Sequence, residues 1–164
     1  MTHDNYNSNE KTFRCLAQCP ELMEFLSGKV IWDPFFNDGA VLSVLKKSFP
    51  ESKIIHKDED FFKVNKKKKY DIIISNPPFS QKKEILEVLV DSKKPFCLVL
   101  PLDVLARKYF SNHYKDQMDK VHIIIPKEVS SMGFGDCKST PRWMWGWFCY
   151  NIPTFKNFNN IIYL

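Results

Sequence analysis

Residues 75–80 read Ser75-Asn76-Pro77-Pro78-Phe79-Ser80. Two consecutive prolines cannot continue a strand or enter a helix interior, and they hold the backbone extended. Pro77 has no N–H, so the carbonyls of the segment are left to accept from a ligand. Asn76 adds an amide oxygen and Phe79 a flat apolar face. Two acceptors beside a stacking plane suit an exocyclic aromatic amine. The amine donates both hydrogens, its lone pair is drawn out of conjugation, and stacking worth about 1–3 kcal/mol holds the ring. Upstream, Asp33-Pro34-Phe35-Phe36-Asn37-Asp38-Gly39-Ala40 forms a glycine-type loop. Glycine supplies positive φ and lets the backbone approach a ligand, and Asn37 is the best non-glycine residue for such a turn. A third segment, Ile54-Ile55-His56-Lys57-Asp58-Glu59-Asp60-Phe61-Phe62, ends an apolar run in an acidic turn. A carboxylate there accepts two O–H bonds from a ribose. Asp58 is the first choice for that role and Glu59 the alternative.

These segments need a frame to converge. Lys29–Trp32, Lys53–His56, Tyr70–Ser75, Pro95–Leu100 and Val121–Ile125 are short apolar runs bounded by Pro, Gly or charge, and they predict five strands. Helical spacing predicts helices over 12–27, with Pro20 early and Gly28 as the stop, and over 41–48, 81–90 and 103–118. Residues 143–150, with Trp143, Trp145 and Trp147 alternating, predict an aromatic strand with one face in the core, and Ile161–Tyr163 another short one. Strands alternating with helices imply an α/β fold: one Rossmann-like, doubly wound, mostly parallel sheet with an antiparallel strand near the C-terminus. Ligands in such sheets bind outside the carboxyl ends of the strands, where Asp33-Pro34 and Asn76-Pro77-Pro78-Phe79 both fall.

Composition narrows the class. The 164 residues are 44% hydrophobic and 26% charged, which suits one packed domain and disfavours disorder. Residues 1–11 are polar and read as a flexible N-terminus, leaving 12–164 as a single domain without a separate target-recognition domain. Twenty-four Lys and Arg against nineteen Asp and Glu give +5, a mild preference for a polyanion. The run Lys66–Lys69 reads first as a solvated turn before a strand. No apolar run suits a bilayer or a secretory signal, so the expectation is a cytoplasmic protein with reduced thiols. The five cysteines and four histidines show no metal-ligand spacing, and no metal is expected.

Asn76-Pro77-Pro78-Phe79 resembles the (Asn/Asp/Ser)-Pro-Pro-(Tyr/Phe) motif of S-adenosyl-L-methionine-dependent amino-methyltransferases, especially the DNA N6-adenine enzymes. Residues 33–40 resemble that family's Asp-Pro-x-x-Gly-x-Gly cofactor loop, with Asn37 at the first glycine, and Asp60-Phe61 resembles its Asp-Phe element. The spacing from Asp58 to Asp60 is shorter than the family's. Thr12-Phe13 with Pro20 weakly resembles the segment that caps the cofactor's methionine end, and Asp-Pro-Phe with Asp-Glu-Asp-Phe-Phe resembles small virus- or mobile-element-associated members. The resemblance implies a class I methyltransferase-like fold and S-adenosyl-L-methionine as cofactor. It implies Asn76, Pro77 and Phe79 as catalytic residues. Asp33, Pro34, Phe35, Asn37, Gly39, Asp58, Asp60 and Phe61 would bind the cofactor. Pro78, Ser80, Phe134 and Trp145 would meet the substrate.

The activity so implied is methyl transfer to the N6 amine of adenine in DNA. The same chemistry on RNA adenine or guanine, or on protein glutamine, stands beside it, as does a non-catalytic nucleic-acid-binding subunit. Target recognition would come from the 126–142 loop with Lys127, Lys138 and Arg142, or from a protein partner or a second copy of the chain.

Overall fold

A computed structural model describes residues 10–36, 39–127 and 144–164. Along the described chain run α1 (Glu10–Leu16), α2 (Pro20–Leu26), β1 (Val30–Asp33), α3 (Val41–Ser48), β2 (Lys53–His56), α4 (Phe61–Val64) and β3 (Ile72–Ser75). Then come α5 (Lys82–Ser92), β4 (Phe96–Pro101), α6 (Lys108–Tyr114), β5 (Val121–Ile125), β6 (Trp145–Tyr150) and β7 (Ile161–Tyr163). The seven strands form one sheet in the order β2-β1-β3-β4-β6-β5-β7. β1 pairs in parallel with β2 and β3, β3 with β4, and β5 with β7. β6 alone runs antiparallel, between β4 and β5. The expected doubly wound, mostly parallel α/β sheet with an antiparallel C-terminal strand is what forms.

Strand residues alternate between two cores. Ile31, Ile72, Ile74, Cys97, Val99, Ile124, Trp145 and Trp147 pack under α1, α2 and α3 with Phe13, Leu22 and Leu45. Trp32, Ile73, Phe96, Leu98, Ile123, Phe148 and Tyr150 pack under α4, α5 and α6 with Phe61, Leu86 and Phe110. Each such side chain, taken fully out of water, stabilises the fold by about 1.5–3 kcal/mol before chain entropy is charged against it. Because β6 lies inside the sheet, both of its faces are core; the expectation of a single core face is corrected.

The helix expected over 12–27 is two helices. A residue before proline avoids the α region, and Cys19 sits at φ −87°, ψ 104° ahead of Pro20. Gly28, at φ +71°, ends α2 as expected. The expected helix over 103–118 is also divided. 3-10 turns at Leu102–Ala106 and Lys115–Lys120 flank α6, and Gln117 leaves helical geometry at φ −136°. Lys66, Lys67 and Lys69 are exposed. Lys68 is tied down, paired with Glu59 and 5.7 Å above the Trp32 ring. Cys15, Cys19, Cys97 and Cys149 are buried free thiols, and burial pushes the Cys15 and Cys19 thiols up to about 11. Among the described residues no cluster of His, Cys, Asp or Glu could hold a metal ion, and no helix is long and apolar enough to cross a membrane.

Candidate active site

Sheet order places the three motif segments side by side. β2, β1 and β3 are adjacent and parallel, so Lys57–Asp60, Pro34–Phe36 and Asn76–Phe79 all leave the same edge. The connection from β2 to β3 passes over β1 with only the four-residue α4.

A buried bracket ties the three strand ends. Asp33, 2% exposed, ends β1 opposite His56 in the β1–β2 register. His56 Nδ1 lies 3.2 Å from Asp33 Oδ2 and 3.3 Å from the Asp33 carbonyl oxygen. Both neighbours are acceptors, so Nδ1 carries the proton and donates. The Ser75 hydroxyl, at the end of β3, donates to Asp33 Oδ1. Phe36 stacks on His56 with ring centroids 4.9 Å apart. Gly39, at φ +78°, donates its N–H to the Phe36 carbonyl at 2.9 Å, and a Cβ there would lie 2.9 Å from Phe36 Cζ. Gly39, Phe36, His56, Asp33 and Ser75 therefore form one continuous stack across the strand ends. The sequence alone assigns no role to His56 or Ser75. The signal was present only as a histidine and a serine closing apolar strands, and it needs the register to be read.

The predicted residues fall as follows. Asn76 is half-buried with its Oδ1 inside, Pro77 is buried, and Pro78 and Phe79 are half-buried. Phe79 leans on the core beneath α1–α3 and opens a 3-10 turn, with Lys82 Nζ donating to its carbonyl at 3.0 Å. Ser80 is exposed. Pro34 is buried and Phe35 half-buried, its ring 5.4 Å from Phe61. Asp58 is exposed at the carboxyl end of β2, whereas Glu59 is paired with Lys68. Asp60 caps α4, accepting from the Phe62 N–H at 3.0 Å, and sits 3.2 Å from Lys63 Nζ. The hydrogen bond from Lys63 holds the Asp60 carboxyl below its usual range. Phe61 is buried in the core. Trp145 is fully buried beside the carboxyl end of β4, opposite Pro101. Thr12 and Phe13 are buried in α1, with the Trp147 indole N–H donating to the Thr12 carbonyl at 3.1 Å. Asn37, Phe134, Lys138 and Arg142 lie outside the described residues.

The groups at these strand ends could hold an adenosine-type cofactor. An exposed carboxylate, Asp58, ends one strand, a positive-φ turn at Gly39 follows the next, and the rings of Phe35 and Phe62 both pack on Phe61 while keeping part of their surface in solvent. A family model, the Eco57I restriction-modification methylase, matches residues 9–130 of the 164. The chain belongs to this family of S-adenosyl-L-methionine-dependent methyltransferases. Its cofactor is S-adenosyl-L-methionine.

No curated protein matches the sequence. Solved structures similar in fold include a Listeria monocytogenes protein assigned to the class I S-adenosylmethionine-dependent methyltransferases, with TM-score 0.48 and 11% identity. The match covers 84% of this chain and 59% of that one, so the chain spans little more than half the length of that structure. The 23S rRNA methyltransferase ErmE gives TM-score 0.49 at 10% identity, over 90% of this chain and 69% of that one. Precorrin-6y C5,15-methyltransferase of Geobacter metallireducens gives 0.45 at 12%, over 91% and 95%.

Proposed function

We propose that this chain methylates the exocyclic N6 amine of adenine in DNA. The observation that carries the reading is the placement of Asn76-Pro77-Pro78-Phe79 on the strand next to the Asp33–Gly39 loop, leaving the same edge of the sheet. The family's name, restriction-modification methylase, favours DNA over other substrates.

When bound, the cofactor supplies a methyl group on a sulfonium that is its own leaving group. The chain's task is then to present the amine. Asn76 Oδ1 and the Pro77 carbonyl accept its two N–H bonds, which points the nitrogen lone pair outward and favours the positive charge that develops there. Phe79 supplies the plane on which the base rests. Once methylated, the amine nitrogen gives up its extra proton to water. No side-chain base is required. A target within a duplex is first rotated out of the stack, at a few kcal/mol. Asp58 would hold the ribose hydroxyls of the cofactor, and the stack from Gly39 to Ser75 keeps the loop and the motif in register.

The test is incubation of unmethylated DNA with isotopically labelled cofactor, followed by mass spectrometry of the nucleosides. Labelled N6-methyladenine is expected, and Asn76→Ala should nearly abolish it while S-adenosylhomocysteine still binds in calorimetry. Label in another nucleoside or in glutamine, or full activity of Asn76→Ala, would overturn the assignment.

A further inference from the structure

A cavity opens beyond the carboxyl edge of the sheet. It holds about 360 Å³ and is lined by Lys11, Arg14, Cys15, Gln18, Pro126, Lys127 and Leu164. Helix α1 supplies one wall, and the chain leaving β5 supplies the other. The register fixes its position. Ile124 of β5 faces Trp147, and Trp147 faces Val99 of β4, so Pro126 and Lys127 emerge beyond the carboxyl end of the parallel strands. The lining is mixed: Cys15, Pro126 and Leu164 are apolar, and the charged side chains Lys11, Arg14 and Lys127 are all cationic. Lys11, Arg14, Gln18 and Lys127 are exposed at the rim, and no carboxylate side chain lines the cavity among the described residues. The neighbouring Glu10 reaches Arg14 only at 3.9 Å, between two side chains that are largely in water, a contact of small energetic weight.

We propose that this cavity is a phosphate-binding subsite for the nucleic-acid backbone beside the target base. β3, which carries Asn76, and β5 stand three strand spacings apart in the sheet. At about 4.8 Å each, that is roughly 14 Å, the reach of a nucleotide or two along an extended single strand. A base held at Phe79 and a phosphate held by Arg14 and Lys127 are therefore compatible with one continuous strand lying along the edge. Arg14 offers the planar fork that matches a phosphate, Lys11 and Lys127 offer point charges, and the Gln18 amide offers a neutral donor. The cavity is open enough for a tetrahedral anion with its water. The inference rests on the nucleic-acid reading of the active site and adds to it a path for the strand.

The experiment measures binding of a fluorescent single-stranded deoxyoligonucleotide from 50 to 200 mM salt. It uses the wild-type chain, the double variant Arg14→Gln/Lys127→Gln, and Lys69→Gln as a control at the opposite edge. Each lost phosphate contact lowers the slope of log affinity against log salt by about 0.7, which is about threefold in affinity over that range. The double variant should thus lose roughly sevenfold less affinity than wild type across the series, with Lys69→Gln unchanged. Thermal stabilisation by S-adenosylhomocysteine should persist in all three. An unaltered slope in the double variant, beside salt-dependent wild-type binding, overturns the subsite and leaves the proposed activity standing. Stabilisation by S-adenosylhomocysteine without oligonucleotide binding overturns the nucleic-acid reading and the subsite together. Equal competition by an acidic peptide of the same charge, or by free mononucleotide, assigns the cavity to another anion and also overturns the proposal.

Discussion

Asp33→Asn tests whether the buried bracket organises the site. The exchange keeps size and shape, removes the charge, and turns one acceptor into a donor. The Ser75 hydroxyl and the His56 Nδ1–H both reach this carboxylate. One of those bonds is lost and the other becomes neutral. A hydrogen bond to a charged group is worth about 1.5–3 kcal/mol and a neutral one about 1, so the expected loss is roughly 2–5 kcal/mol. For a chain of this size 1 kcal/mol moves Tm by about 2–4 °C, which predicts a fall of roughly 4–20 °C. The bracket also fixes the starts of the loop that carries Gly39 and the turn that carries Asp58. Spending about 1.4 kcal/mol of the same order there weakens cofactor binding about tenfold. Differential scanning calorimetry reads the first quantity and titration with S-adenosylhomocysteine the second. A Tm within 2 °C of wild type together with an unchanged dissociation constant would refute the reasoning.

Two further perturbations probe other contacts. Gly39→Ala places a methyl 2.9 Å from Phe36 Cζ, at φ +78°; the strained backbone alone costs about 1–3 kcal/mol. Phe36 cannot swing freely because it is stacked on His56, so both Tm and cofactor affinity should drop, and retention of both would remove the stack from the site. His122 is buried against Phe155, and burial pulls its pKa below the usual 6.5. A depressed folded pKa means the unfolded chain takes up the proton first. Stability is then full above pH 6.5 and is lost as pH falls toward the folded value. Urea unfolding from pH 7.5 to 5.5 should show that loss, at up to about 1.4 kcal/mol per pH unit, and His122→Leu should flatten the profile by that amount.

The sequence made the strands legible because each is a short apolar run closed by a residue that cannot extend it, such as Pro34, Pro77 or the charged Lys57. The motif segments were legible for the same reason, since only a sheet edge accommodates them. Helix limits were harder. Pro20 suits the first turn of one helix and equally forces Cys19 out of a preceding one, and periodicity across 12–27 does not choose between them. The burial of Trp145 and Trp147 depends on β6 lying between β4 and β5, a long-range fact that alternation within one strand does not contain. The His56–Asp33–Ser75 bracket was hidden likewise. Its members are 23 and 42 residues apart and meet only through the register of three strands. Asp60 combines two roles that sequence could not separate, a candidate ligand and the cap of a one-turn helix.

The outer margins of the sheet have a consequence for how the protein behaves in concentrated solution. β2 has four residues and β7 has three, and each pairs on one side only among the described strands. An unpaired margin invites a neighbouring molecule to add a strand. Lys53 begins β2 and Lys57 follows it, so one margin is fenced by like charges. The other shows solvent the apolar side chains of Ile161 and Tyr163, 51% and 77% exposed, yet it offers too few amide and carbonyl groups for a second chain to grip. Truncation at both ends thus guards an otherwise sticky sheet against lateral growth.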